Sequence, residues 1–296
     1  ALFVIYVWTN RSKMKKKSKL FKINILLVVM AFLSIGLVQV FAGPNNTAAK
    51  TKISTVDWNM QRKGSDSLYW FKFAFLDKST ASGTIQEICS NDFRKLKSDM
   101  KMQGYFYSLM VLGSCPKGEV SGMGVIFRGD EISRFAKTFS NQKASDLTYG
   151  KGATGMLCVK HAYLGKSIST CTTHLDYVAT DKKFHIWNNV IGGDQLQEYI
   201  KRSNYFGDTY GGSQWKSDVT FASGDFNHFA KDVKAKVPGY KSLVNSNTHD
   251  ALKAGGPTYQ LDYIMVSNSI SKFGESFKPS CNLGSDHCMI GGYVWV

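Results

Sequence analysis

Two cysteines, Cys158 and Cys171, each lie six residues out from the dipeptide Leu164-Gly165 in the stretch "GMLCVKHAYLGKSISTCTTHL". The residues flanking that dipeptide are rich in β-branched and alternating apolar side chains, so the segment reads as two strands around a two-residue turn. Counting outward, the two cysteines face each other at a non-hydrogen-bonded pair, where Cα atoms approach to roughly 4.5 Å. A disulfide spans such a gap. The predicted Cys158-Cys171 bridge fixes the register of the hairpin, and with it which side chains share a face.

Sheet-forming runs continue along the chain. "KISTVDW" (52–58), "TIQEI" (84–88), "GMGVIFRG" (122–129), "VTFASGDF" (219–226), "LDYIMVS" (261–267) and "MIGGYVWV" (289–296) all read as strands. Between them, "NDFRKLKSDMKM" (91–102) and "GDQLQEYIKRSNYF" (193–206) carry helical spacing. A mixture of this kind predicts an α/β (α+β) domain with extensive sheet. No repeat or low-complexity linker interrupts residues 43–296, so a single domain is expected there.

The first 42 residues are of a different character, with seven Lys or Arg and no acidic residue. "MKKKSKLFK" from Met14 precedes the apolar run Ile25 to Val38 and the small-residue ending Val40, Phe41 and Ala42. This order predicts a secretory signal peptide over 14–42, with 1–13 upstream of the true start. The apolar run is shorter than the roughly 20 residues of a spanning helix, which favours cleavage over a retained anchor. A secreted or periplasmic protein with no stable membrane span is expected. Without that segment, 30 basic residues face 22 acidic ones, a balance that favours polyanions such as nucleic acid, or anionic membrane surfaces.

All six cysteines fall after residue 42, an even number suited to disulfides in an exported chain. Cys281 and Cys288 enclose only "NLGSDH", and Cys89 and Cys115 are left for each other. No C-x2-C or H-x3-H spacing supports a cysteine–histidine zinc site instead.

Several strands end in residues able to hold a metal or move a proton: Asn59 and Gln61, Glu87, His174 and Asp176, then Asp225 and Asn227, Asp262, and finally Asp286 and His287. Each alone has an ordinary reading as a turn, cap or satisfied strand-end group. Taken in order, "VDWNMQ", "IQE", "TTHLD", "SGDFN", "LDYI" and "SDH" resemble the endonuclease/exonuclease/phosphatase superfamily. That superfamily includes deoxyribonuclease I, AP endonucleases, neutral sphingomyelinases, inositol-polyphosphate 5-phosphatases and the catalytic subunit of cytolethal distending toxin. The match runs over essentially all of residues 43–296.

The resemblance implies a four-layer sandwich of two packed, mainly antiparallel sheets with helices outside. It implies Glu87 as the principal Mg2+ ligand with Asn59 and Asp286 beside the same ion, oxygen donors of the kind Mg2+ prefers; Mn2+ or Ca2+ could take its place. It makes His287, paired with Asp262, the acid or base at the scissile phosphate, His174 a second histidine, and Asp225 and Asn227 groups that orient water and phosphate oxygens. His161, His185, His228 and His249 match no motif position and are read as structural or surface residues.

The pattern departs from the family at one place. Deoxyribonuclease I supports its first histidine with a glutamate shortly before the strand equivalent to "GVIFR", where this chain has Ser121 and Gly122. What orients His174 is therefore not given by the resemblance.

The activity implied is metal-dependent hydrolysis of phosphate esters, with DNA as the first substrate expected. Alternatives are a lipid head group, as for a sphingomyelinase or phosphoinositide phosphatase, and a toxin-like catalytic subunit. A non-catalytic binding protein is disfavoured because every expected catalytic side chain is present. "SLYWFKFAF" (67–75) is read as the family's first helix with its aromatics in the core, rather than as a lipid-seeking hairpin.

Overall fold

The computed structural model describes residues 50–61, 65–108, 115–116, 119–140, 154–175, 179–180, 183–184, 190–210, 216–249, 252 and 254–296. The expected signal peptide, Asp176 and His185 lie outside these residues.

In chain order the strands are β1 (Lys52–Asn59), β2 (Thr80–Cys89), β3 (Gln103–Ser108), β4 (Ser121–Phe127), β5 (Asp130–Thr138), β6 (Gly155–Tyr163) and β7 (Lys166–His174). They continue with the short β8 (Ala179–Thr180) and β9 (Lys183–Phe184), then β10 (Val219–Asp225), β11 (Tyr240–Ser242), β12 (Asp262–Ser267), β13 (Phe273–Ser280) and β14 (Met289–Trp295). The helices are α1 (Ser65–Ala74), α2 (Ser90–Met100), α3 (Val190–Asp208) and α4 (Ala230–Lys236). No described helix is long and apolar enough to cross a membrane.

Two six-stranded sheets form, one ordered β13-β14-β1-β2-β4-β3 and the other β11-β12-β10-β7-β6-β5. All pairs are antiparallel except one near the middle of each: β1 with β2, and β7 with β10. In a parallel pair the two strand ends point the same way, and both of these pairs deliver polar residues there. Helices α1 and α2 cover the outer face of the first sheet through Leu68, Phe71, Phe93 and Leu96. The α3 residues Leu196, Tyr199 and Ile200 pack with Met156, Phe226 and Tyr263 of the second sheet. Four layers result, as expected.

Between the sheets the contact is apolar at one end, with Ile53, Ile168, Phe221, Ile264 and Val294 in one cluster. Towards the other end it becomes polar. Thr170 Oγ1 donates to Ser82 Oγ (2.7 Å), Thr84 Oγ1 lies 2.8 Å from Ser223 Oγ, and Gln86 Nε2 donates to Thr172 Oγ1 (2.8 Å). Buried hydroxyls without partners cost about 1–3 kcal/mol each, so pairing across the interface selects one relative placement of the sheets. Asp57 sits fully buried in this layer and accepts from Thr84 Oγ1 (2.5 Å) and Gln86 Nε2 (2.7 Å). Burial and the nearby Asp262 raise its carboxyl well above the ordinary range.

The hairpin forms in the expected register, Cys158 opposite Cys171 with Cα atoms 4.0 Å apart, and Leu164 and Gly165 turn with φ of 51° and 70°. All three expected disulfides are present. Helix α1 differs from the expectation for "SLYWFKFAF". Leu68, Phe71 and Phe75 enter the core, but Tyr69, Trp70 and Phe73 form an exposed, mutually contacting trio with Leu76 beyond them. A run of consecutive large apolar residues cannot all face one side at 3.6 residues per turn, so the helix buries half of them and exposes half.

Candidate active site

The strands converge on one residue, Asp225. It ends β10, and the parallel register sets it beside His174 of β7, while the antiparallel register sets it beside Asp262 of β12. Its Oδ1 accepts the backbone N–H of Asn227 (2.9 Å) and its Oδ2 accepts from Asn59 Nδ2 (3.1 Å). The same Oδ2 lies 3.5 Å from His174 Nε2 and 3.7 Å from His287 Nε2. The Asn59 contact crosses from the first sheet to the second, so the carboxylate is where the two sheets meet.

Gly224 allows β10 to enter this position. Its φ is +139°, and a Cβ there would lie 2.1 Å from the Thr173 carbonyl oxygen. No side chain fits without displacing β7 backbone. Gly224→Ala is expected to destabilise the protein by about 3 kcal/mol or more, measured by urea unfolding, because strain and overpacking add.

On the first sheet, Asn59 ends β1 and donates from Nδ2 to Glu87 Oε1 (3.2 Å) as well as to Asp225. Its Oδ1 accepts the N–H of Gln61 (3.1 Å). Glu87 has a φ of 50° within a register shift of β2, and Gln61 and Asn227 also adopt positive φ, at 47° and 49°. Non-glycine residues in this region cost of order 1 kcal/mol or more and persist where the surroundings enforce them.

The loop carrying Asp286 and His287 is held from below. Trp58 Nε1 donates to the His287 carbonyl (3.1 Å), Ser285 Oγ to the Asn59 carbonyl (2.7 Å), and the Asp286 N–H to Gln61 Oε1 (3.2 Å). His287 Nδ1 lies 2.9 Å from both oxygens of Asp262, while Nε2 lies 3.6 Å from Asp286 Oδ1. Thr248 Oγ1 in turn accepts the N–H groups of Leu261 and Asp262, fixing the start of β12.

Electrostatics follow from this geometry. Burial alone would lower the His287 pKa, but Asp262, Asp225 and Asp286 overcome it and raise it to about 10. His174 is likewise raised by Asp225 and Glu87 against the opposing effect of burial. Asp225 is disfavoured as an anion by burial, yet His287 and His174 hold it well below the ordinary carboxylate range. Two imidazoles whose protonated forms are favoured thus flank one buried carboxylate.

All eight residues named as metal ligands or catalytic groups thus lie in one connected set. Asn59, Glu87, Asp225 and His174 form its first part, and Asp262, His287 and Asp286 its second; Asn227 supports it, its Nδ2 donating to the Leu175 carbonyl (2.9 Å). What holds His174 is Asp225 and Glu87, not a residue at Ser121 or Gly122. Glu119 instead accepts the N–H of Asn91 (3.1 Å) at the start of α2.

Two of the unmatched histidines are structural. His228 Nδ1 lies 2.7 Å from the Phe226 carbonyl, and His161 Nδ1 lies 2.8 Å from the Arg128 carbonyl, burial lowering the His161 pKa to about 4. His249 is different. Its ring packs against His287 at 4.6 Å between centroids, and its Nε2 lies 3.6 Å from Asp286 Oδ2. The only trace of this in the sequence is the Thr-His dipeptide ahead of "LDYI"; the contact depends on a long-range bridge between His249 and His287.

No family model matches the chain, and no curated protein matches it. Solved structures do. An endonuclease/exonuclease/phosphatase from Beutenbergia cavernae aligns with a TM-score of 0.61 at 11% identity, covering 83% of this chain and 72% of that one. D. rerio TDP2, complexed with a single-strand DNA product, aligns at 0.54 and 13% identity, covering 82% and 98%. Beta toxin from Staphylococcus aureus aligns at 0.56 and 16% identity, covering 82% and 99%. With its two mixed sheets, flanking helices and these alignments, the chain has the endonuclease/exonuclease/phosphatase fold.

Proposed function

We infer that the protein is an exported, metal-dependent phosphoesterase whose first substrate is the DNA phosphodiester bond. The observation that carries this reading is the Asp262–His287–Asp225–His174 arrangement, two imidazoles fixed by buried carboxylates beside the oxygen atoms of Glu87 and Asn59.

Each residue has a task that its contacts support. The Asp262 contact at Nδ1 leaves the protonated His287 Nε2 as a donor to a phosphoryl oxygen or leaving oxygen. His174, whose protonated form Asp225 and Glu87 favour, would add a second donor, and the two would offset charge that develops on the phosphoryl group. Asp225 favours the charged form of both and holds the Asn227 N–H. Carboxylate and amide oxygens suit a hard divalent ion. Asn59, Glu87 and Asp286 would hold Mg2+: Asn59 Nδ2 donates to Glu87 Oε1, which sets the two side chains next to each other, and the buried Asp286 Oδ1 has no hydrogen-bond donor among the described residues. Bound there, the ion would supply Lewis-acid stabilisation of the phosphoryl oxygens. Three disulfides favour an oxidising compartment.

One of the similar structures, D. rerio TDP2, was solved with a single-strand DNA product, and the excess of basic residues after position 42 favours a polyanion. A lipid head group is the second reading, favoured by the exposed Tyr69, Trp70 and Phe73 of α1. The disulfide-bonded protein is expected to nick supercoiled plasmid in Mg2+ and to lose that activity in EDTA. Hydrolysis of sphingomyelin or phosphoinositides with no cleavage of DNA would replace the first reading by the second.

A further inference from the structure

His249, Asp286 and His287 present one ligand atom each, all within 4.8 Å of one another. Asp286 reaches both rings, its Oδ2 lying 3.6 Å from His249 Nε2 and its Oδ1 3.6 Å from His287 Nε2. A tetrahedral Zn2+ with bonds of about 2.0–2.1 Å places its ligand atoms roughly 3.3–3.4 Å from each other. Each histidine–carboxylate pair therefore sits within a few tenths of an ångström of the spacing a single ion imposes on adjacent ligands, and the whole set lies within 4.8 Å.

Chemistry agrees with the spacing. Two imidazoles and one carboxylate form a set suited to borderline transition metals, unlike the all-oxygen set of Asn59 and Glu87. Asp262 already occupies His287 Nδ1, which fixes the ring and leaves Nε2 as the ligand atom; carboxylate–histidine–zinc triads are built this way. Asp286 Oδ1 is buried and accepts no hydrogen bond among the described residues. A second group, Asp225, Asp262 and His287, also lies close together. Its carboxylates are already engaged, Asp262 by His287 Nδ1 and Asp225 by Asn59 and Asn227.

We propose that His249, Asp286 and His287 bind one borderline divalent ion, with Zn2+ as the type case, and that this ion removes His287 and Asp286 from catalysis. Three protein ligands leave a fourth position for water or a phosphate oxygen. One Asp286 carboxylate and one His287 Nε2 serve either the zinc or the reaction, so Zn2+ acts as an inhibitor. The inhibition rests on the phosphoesterase reading; the binding does not.

The test begins with the disulfide-bonded chain, stripped with EDTA, dialysed, and titrated with Zn2+ against a chromophoric chelator without Mg2+ or substrate. One equivalent should bind. His249→Gln should weaken that binding by at least about tenfold while leaving the circular-dichroism spectrum and melting curve in place. Glu87→Gln, which alters only the oxygen set, should leave Zn2+ affinity within about twofold. X-ray absorption of the zinc-loaded wild type should show two imidazoles per zinc, a readout independent of any variant's folding. No binding, equal binding by wild type and His249→Gln, or fewer than two imidazoles would overturn the site. If Zn2+ binds as described but leaves Mg2+-supported hydrolysis unchanged, the inhibitory role falls. Binding by a chain that hydrolyses no phosphate ester would instead sink the phosphoesterase reading and leave the site standing.

Discussion

His287→Ala is expected to lower Mg2+-dependent hydrolysis by about 10²–10⁴-fold, the usual range for loss of a general acid–base group. The variant removes the imidazole proposed to donate to the phosphoryl group and also leaves Asp262, fully buried, without its partner. A plasmid-nicking rate within a few-fold of wild type would refute the assigned role. The pH dependence of stability separates the two consequences. In the metal-free protein the His287 pKa is raised to about 10 from an ordinary 6.5, so the folded state holds its proton more tightly than the unfolded chain. The resulting stability is complete below about pH 6.5 and is lost as pH rises from there to about 10. The gap in urea midpoint between wild type and His287→Ala should therefore narrow across that window. A gap independent of pH would show that His287 contributes only packing.

The parts of this architecture legible in the sequence are those set by local periodicity or by counting. The β6–β7 hairpin follows from a two-residue turn and two equidistant cysteines, and the structure pairs Cys158 with Cys171 as expected. The eight site residues were legible only through the resemblance of six ordered strand-end motifs to the superfamily; the structure adds that the parallel pairs β1–β2 and β7–β10 bring Asn59 near Glu87 and His174 beside Asp225. Strands β3, β5 and β13 were not read as strands. β5 and β13 are largely exposed edges with interspersed charge, and their pairing depends on distant partners rather than on their own pattern.

Long-range contact explains the remaining differences. His249 gains its place from a bridge to His287, 38 positions later in the sequence, and no local spacing encodes such a bridge. His174 is oriented by Asp225 rather than by a residue near Ser121, because the β7–β10 register places a carboxylate directly beside it. The aromatic run of α1 was read as core, yet helical geometry puts Tyr69, Trp70 and Phe73 on the outside.

Asp225→Asn is expected to be the most informative single change in the site, because the two side chains have nearly the same shape and differ in charge. With its Oδ1 kept on the Asn227 N–H, the new amide nitrogen would replace Oδ2 and face three donors: Asn59 Nδ2, His174 Nε2 and His287 Nε2. Flipping the amide restores an acceptor there but sets nitrogen against the Asn227 N–H. Either orientation leaves a buried donor unpaired, at a cost of about 1–3 kcal/mol. The loss of charge acts on catalysis. Asp225 helps to raise both imidazoles, so in Asp225→Asn the His174 and His287 ring protons should titrate at lower pH in nuclear magnetic resonance spectra. His287 should keep part of its elevation because Asp262 remains. Activity should fall by about 10²–10⁴-fold, with its alkaline limb moved to lower pH as the imidazolium ions are lost earlier. Wild-type Asp225 is held well below the ordinary carboxylate range, so its contribution to stability is present above about pH 3.8 and lost as pH falls through its lowered pKa. The variant should thus be relatively less sensitive to acid unfolding than wild type. An Asp225→Asn protein with unchanged imidazole titration would show that the two histidines draw their charge from elsewhere, and the floor of the site would have to be rebuilt around Asp262 and Glu87 alone.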